Sequence, residues 1–120
     1  MTLTRDQIMA HAGKPLRTEV VEVPEWGGSV TVRELTGRER DAFEASIVEQ
    51  KGKKSVVNMD NMRAKFVAAC AIGDDGQPLF YPTDVERLGD LSAAALNRVF
   101  DAGRRLSGLT DDDVEELVKN

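Results

Sequence analysis

The chain has 120 residues and a mass of 13.2 kDa, enough for one hydrophobic core but not two, since a domain typically takes on the order of 100 residues. At 41% hydrophobic and 31% charged, with 10 Gly and 4 Pro, it has a globular composition rather than a disordered or fibrous one. The net charge of -5 comes from the second half: residues 1–54 carry 9 basic and 9 acidic side chains and residues 55–120 carry 7 and 12, which disfavours generic binding to a phosphate backbone.

Thr4 and Gln7 have capping-box spacing, with Leu3 and Ile8 placed as a hydrophobic staple, and predict a short helix to about Ala12 that Gly13 and Pro15 end. The β-branched runs Thr18 to Val23 and Ser29 to Leu35 flank Pro24-Glu25-Trp26-Gly27-Gly28, a turn composition, and together predict a β-hairpin. Val21, Val23, Val30 and Val32 share its apolar face, which a helix or another chain must cover because a lone hairpin is marginal in water. Trp26 at the tip is either folded back onto the core or presented to a partner.

Thr36 and Glu39 form a second capping box, opening a helix to about Val48 with Phe43 and Ile47 on one face. The basic, Gly-containing stretch from Gln50 to Ser55 then predicts a flexible loop near residues 50–57. Asn58 or Asp60 caps the most apolar segment, a central core helix carrying Met62, Phe66 and Cys70, which Gly73 ends. The turn cluster from Gly73 to Pro78 leads into Leu79-Phe80-Tyr81, a short strand or extended connection. Thr83 and Glu86 cap a short helix ending near Gly89, and Ser92 caps a longer one with Leu96, Val99, Phe100 and Leu106 at helical spacing, stopped by Gly108. Thr110 opens a last helix with three Asp in its first turn and Leu109 and Val114 as its staple. The fold class is therefore α+β and predominantly helical, a short N-terminal helix and hairpin followed by a bundle of about four to five helices, in a single domain over residues 1–120.

No residue set carries catalytic or metal chemistry. His11 is the only histidine and Cys70 the only cysteine, so neither a histidine cluster nor a cysteine zinc site is available, and no cofactor is expected. A single cysteine fits a reducing cytoplasm. Asp74-Asp75-Gly76 and Asp111-Asp112-Asp113 lack calcium-loop spacing and read as a turn and a helix start. Gly52-Lys53-Lys54-Ser55 lacks the first glycine of a phosphate loop. The helix from Ser92 and the one from Thr110 could mimic a helix-turn-helix with Arg98, Arg104 and Arg105 as contacts, but the acidic partner helix would be repelled by DNA. No run approaches the ~20 apolar residues of a membrane span, and no signal-peptide core is present.

The order Val23-Pro24-Glu25-Trp26-Gly27-Gly28-Ser29-Val30-Thr31-Val32-Arg33-Glu34-Leu35-Thr36-Gly37-Arg38-Glu39-Arg40-Asp41 resembles the N-terminal signature of tail assembly chaperones from long-tailed phages and prophages. The resemblance continues through the Ala-rich helix to Ala71, the turn Asp75-Gly76-Gln77-Pro78-Leu79-Phe80, Asp84-Val85, and Leu91-Ser92 to Leu109-Thr110. It implies a non-enzymatic protein of the infected or lysogenic host cytoplasm, absent from the mature virion. Such a protein binds the tape-measure protein, keeps its long hydrophobic helices soluble, and recruits tail-tube protein, in some members through a frameshifted longer form. It also implies a homo-oligomer. Trp26, Val30, Val32, Phe66 and Phe100 are the candidate partner-binding residues. A structural head-tail connector or tail component, and a small phage DNA-binding regulator, are the competing readings.

Overall fold

Local capping chemistry sets the first element of the computed structural model, which describes residues 1–109. The Thr4 hydroxyl accepts from the Gln7 N–H at 3.2 Å while the Gln7 amide oxygen accepts from the Thr4 N–H at 2.9 Å, and helix α1 runs over Arg5–Met9. It is shorter than predicted, because residues 10–12 close into turns before Gly13, whose φ of +80 suits the one residue without a Cβ. None of α1 is buried.

Strands β1 (Thr18–Val23) and β2 (Gly28–Arg33) pair antiparallel from Thr18 opposite Arg33 to Val23 opposite Gly28. A 3-10 turn over Pro24–Trp26 joins them, and Gly27 at φ +74 accepts the left-handed exit. Alternation puts Val21, Val23 and Val32 in the core and turns Val20 and Glu22 outward. A third strand, β5 (Ala71–Ile72), adds to β2 with Ala71 opposite Val32, giving the order β1-β2-β5. The sequence reading carried the central helix on to Gly73. Instead α3 (Met62–Cys70) stops at Cys70, and the next two residues take up the open edge of β2, whose backbone N–H and C=O groups need partners.

Helix α2 (Gly37–Ser46) begins at the predicted Thr36–Glu39 box, both halves of which form. The flexible loop predicted near residues 50–57 is instead an antiparallel ribbon of β3 (Val48–Lys51) and β4 (Lys54–Val57). Val48, Val56 and Val57 supply β-branched side chains, the Gln50 amide donates to the Ser55 hydroxyl across the pair at 2.7 Å, and Gly52 turns the chain at φ +64. The lysine-rich composition masked this strand pattern. At the ribbon's root Asn58 N–H donates to the Ile47 carbonyl at 2.6 Å, and Ile47 is fully buried.

Neither Asn58 nor Asp60 caps α3. Asn58 closes a turn by accepting from the Asp60 N–H at 2.9 Å, and Asn61 precedes the helix at a left-handed φ of 58. Its side chain reaches across to the Val85 carbonyl at 2.9 Å instead of capping, tying α3 to α4 (Val85–Leu88). A Cβ on Gly89 would lie 1.9 Å from the Asn61 amide oxygen, so the glycine makes room for that tie. The predicted Thr83–Glu86 box does not form; the Asp84 carboxylate accepts from the Tyr81 N–H at 2.8 Å to start a 3-10 turn over Pro82–Asp84. Leu79 to Tyr81 is a connection rather than a strand, held by the Leu79 N–H on the Ala71 carbonyl at 3.0 Å.

Helix α5 (Ala93–Leu106) is capped by the Ser92 hydroxyl as predicted. It ends in a Schellman motif: Leu109 N–H donates to the Arg104 carbonyl at 2.8 Å and Gly108 N–H to the Arg105 carbonyl at 3.2 Å, with Gly108 at φ +75. The helix predicted from Thr110, with its three Asp and Val114, lies outside the described residues. α5 covers the valine face of the hairpin and packs on α3, so one core joins Val23 and Val32 to Phe66, Val67, Val99 and Phe100. The fold is helix-rich α+β.

Where α5 meets α3, a Cβ on Gly103 would come within 2.7 Å of Cys70 Sγ and 3.0 Å of Phe66 Cε1. Gly103→Ala should therefore lower unfolding stability by about 1–3 kcal/mol in urea titrations despite alanine's better helix propensity, and an unchanged midpoint would contradict this close approach. Burial pushes the Cys70 thiol up to about 12. In native protein at neutral pH it should not react with Ellman's reagent, and one thiol per chain should appear in denaturant; rapid native reaction would show the core to be open.

Candidate functional site

Edge-to-face aromatic packing organises the helices beneath the site. The Phe43 and Phe66 rings meet at 5.1 Å and 83°, and Phe66 and Phe100 at 5.3 Å and 70°, so one file of rings crosses from α2 through α3 to α5. The Arg63 guanidinium stacks 5.5 Å from the Phe100 ring centre and closes the far end. Phe66 and Phe100, predicted to face a partner, are inside the chain: Phe66 is completely buried and Phe100 is 5% exposed.

The other predicted contact residues fare differently. Val32 is also completely buried, because α5 covers the face that the hairpin alone would have left wet. Val30 is half-buried at the edge of the same core. Trp26 is half-buried too, packed against the core where the 3-10 turn meets α5, with Glu25 beside it paired to Arg98 at 2.9 Å. The structure thus brings Val30, Val32, Phe66 and Phe100 into one core with Trp26 at its margin, and leaves no contiguous outward surface made of the five.

An uncovered apolar surface lies elsewhere. α2, α3 and the connection from Pro78 to Val85 enclose an open groove of about 460 Å³. Phe43 forms part of its lining, with Ala42, Ala68, Ala69, Phe80 and Val85. Tyr81, 74% exposed, stands at its edge. Phe80 also lines a smaller adjoining depression of about 310 Å³ with Leu88 and Leu91, so the apolar surface continues toward the start of α5. Leu79 and Leu91 are each nearly half exposed. Such a surface, apolar at the centre with polar ends, is the kind that receives an amphipathic helix.

Charge marks the two ends. On the first turn of α2, the Glu39 carboxylate accepts from the Arg33 guanidinium and the Thr36 N–H. Near the last turn, Lys65 Nζ donates to the Ser46 carbonyl at 3.3 Å and meets the negative end of the α2 dipole. Burial would raise the Glu39 pKa, but the hydrogen bonds from Thr36 and Arg33 outweigh it and hold the group below its ordinary value of 4.5. Sequence reasoning placed Phe43 on a helix face but missed Phe80 and Tyr81. The available signal was an apolar run between Pro78 and Pro82, where prolines bar a central strand and leave the side chains without a sheet to pack on.

The α5 arginines that could mimic DNA contacts are engaged within the chain. Arg98 pairs with Glu25, Arg105 with Glu19 at 3.3 Å, and Arg104 with Asp101 at 3.1 Å. Asp75 accepts from the Gln77 N–H at 3.0 Å and so shapes the turn predicted for Asp74-Asp75-Gly76. No group of three or more His, Cys, Asp or Glu able to hold a metal ion occurs among the described residues, and no helix there is long and apolar enough to cross a membrane.

A family model described as phage tail assembly chaperone matches residues 4–120. Among solved structures, the tail assembly chaperone of bacteriophage HK97 is similar in fold, with a TM-score of 0.59 at 17% identity, covering 91% of this chain and 100% of that one. No curated protein matches the chain.

Because the folded-state pKa of Glu39 is depressed, its carboxylate stabilises the fold above pH 4.5 and that contribution is lost as pH falls below it. Glu39→Gln should cost about 0.5–1 kcal/mol at neutral pH, a figure already reduced for the partial exposure of the pair. The gap between wild type and variant should close on acidification in thermal melts; a gap that widens would invert the assignment.

Proposed function

The chain belongs to the phage tail assembly chaperone family, and from that premise we propose that it binds the tape-measure protein through the groove between α2, α3 and the Pro78–Val85 connection. The observation that carries this reading is the groove itself, an apolar surface that no described residue of the chain covers. A tape-measure protein built of long apolar helices presents the complementary object, a stripe of side chains at i, i+3 and i+4 that is insoluble until sheathed. Alanines at Ala42, Ala68 and Ala69 keep the helical walls low, which lets a client helix backbone approach, while Phe43, Phe80 and Tyr81 supply contact area.

The role requires shielding and release, not bond chemistry. It acts in the host cytoplasm, before the tail tube closes around the tape measure, and brings tail-tube protein to the complex without remaining in the finished particle. The pairing of the α5 arginines with the chain's own carboxylates favours this reading over a DNA-binding regulator.

Co-expression with the tape-measure protein encoded nearby tests the proposal. The chain should raise the soluble fraction of tape measure and co-purify with it. Ala42→Asp and Tyr81→Ala, both at exposed positions on the groove, should each abolish or strongly reduce that capture while preserving the thermal melt. Capture undiminished by either substitution would remove the groove from the mechanism. Absence of any capture by the wild type would remove the tape measure as client.

A further inference from the structure

Hydrogen bonds fix how the walls of the groove run. The Leu79 N–H donates to the Ala71 carbonyl at 3.0 Å, Ala71 lies opposite Val32, and the next residue, Arg33, bonds Glu39. The Pro78 end of the groove therefore sits at the start of α2. At the other end Lys65 reaches the Ser46 carbonyl and Asn61 the Val85 carbonyl. α2 and the Pro78–Val85 connection thus run in the same sense, and α3 runs back between them as the floor.

Charge follows that axis. Glu39 and Lys65 are the two residues of the lining that carry a formal charge, one at each end. At the Glu39 end, the turn before Pro78 adds the exposed Asp74 and Asp75. At the Lys65 end, the β3–β4 ribbon springs from the Asn58–Ile47 hydrogen bond and carries the exposed Lys51, Lys53 and Lys54 at its tip. Arg33 offsets part of the acidic end, and Glu49, Asp60 and Glu86 part of the basic one, leaving each end with its sign.

We infer that this polarity sets the charge pattern and the direction of the client helix. The groove takes an amphipathic helix that lies antiparallel to α2. Acidic side chains in its N-terminal turn face Lys65 and the ribbon lysines, and basic ones in its C-terminal turn face Glu39, Asp74 and Asp75. The wall from Glu39 to Ser46 is seven residues, about 10 Å or two turns, so the client's acid and base share one face on either side of its apolar stripe. The dipole decides between this direction and its reverse. Acids are stabilised at a helix N-terminus and bases at its C-terminus, and the client's positive end then meets the negative end of α2. The apolar centre supplies affinity and the charged ends supply orientation. The inference rests on the groove being the client site, and it gives the lysine-rich ribbon a part in recognition.

The test uses the full-length chain and two synthetic peptides of roughly 18 residues, long enough to form a helix. Both have one composition and one stripe of leucines and alanines; the first carries Glu in its first turn and Lys in its last, and the second has them exchanged. In calorimetric titrations at low salt the Glu-first peptide should bind about 3- to 10-fold more tightly, and raising the salt to about 0.5 M should shrink the gap. Lys65→Glu with Asp74→Lys should erase or reverse the preference while keeping the wild-type melt. A preference due to peptide helicity alone would survive that exchange and overturn the inference. Lys53→Glu with Lys54→Glu, at exposed ribbon positions, should weaken the Glu-first peptide and spare the other, whereas an equal effect on both would remove the ribbon from recognition. Ser46→Cys should form a disulfide with a cysteine in the first turn of the Glu-first peptide and not with one in its last turn, the buried Cys70 staying silent; the opposite pattern would overturn the direction. Equal binding of the two peptides, both weakened by Ala42→Asp, would overturn the polarity and leave the groove as the helix site. Binding of neither peptide, or binding indifferent to Ala42→Asp, would remove the groove and the polarity with it.

Discussion

The approach of α5 to α3 at Gly103 is the constraint on which the other contacts depend. A hydrogen in place of a side chain lets the Cys70 sulfur and the Phe66 ring sit against the α5 backbone, and the opposite side of α5 then reaches the valine face of the hairpin. One helix therefore serves as common wall to sheet and bundle. The Arg98–Glu25 and Arg105–Glu19 pairs and the Ser107 hydroxyl on the Leu35 N–H at 2.9 Å register it along the hairpin, but they are partly exposed and weak beside the apolar contact.

The groove follows from the same arrangement. Phe66 is enclosed by Phe43 on one side and Phe100 on the other, so the aromatic surface of the bundle is spent internally, and only Phe43 reaches toward the far face of α2 and α3. Small residues at Ala42, Ala68 and Ala69 leave a depression there, and the connection after β5 overhangs it with Phe80 and Tyr81. That connection is held by the Ala71 and Val85 carbonyls and by the Asn61 side chain, all within hydrogen-bond reach of neighbouring elements. The uncovered surface is thus built on anchored backbone.

Features governed by neighbours in sequence were legible before the structure. The Thr4 and Thr36 boxes, the Ser92 cap, the Gly108 stop and the hairpin itself all depend on residues near one another in sequence, and they formed as predicted, though the second strand runs over Gly28–Arg33 rather than to Leu35. Where distant partners decide, local reading failed. Asn61 abandons capping for the Val85 carbonyl, Ala71 and Ile72 leave the helix for the edge of β2, and the ribbon around Gly52 hides its valines among lysines. Val32, Phe66 and Phe100 read as apolar positions in the sequence, and only the tertiary arrangement shows that they pack against one another's elements inside the core. The family resemblance was carried by order along the chain and held over nearly its whole length.

The hairpin's dependence on α5 has a consequence during synthesis. β1 and β2 are complete at Arg33, whereas α5 begins at Ala93, so about 60 residues separate the valine sheet from its cover. At roughly 5–20 residues per second the nascent chain carries an unshielded apolar ribbon for several seconds, longer than hairpin formation takes by orders of magnitude. Until α5 emerges from the ribosome, the valine face of the hairpin stays open to water and to other chains.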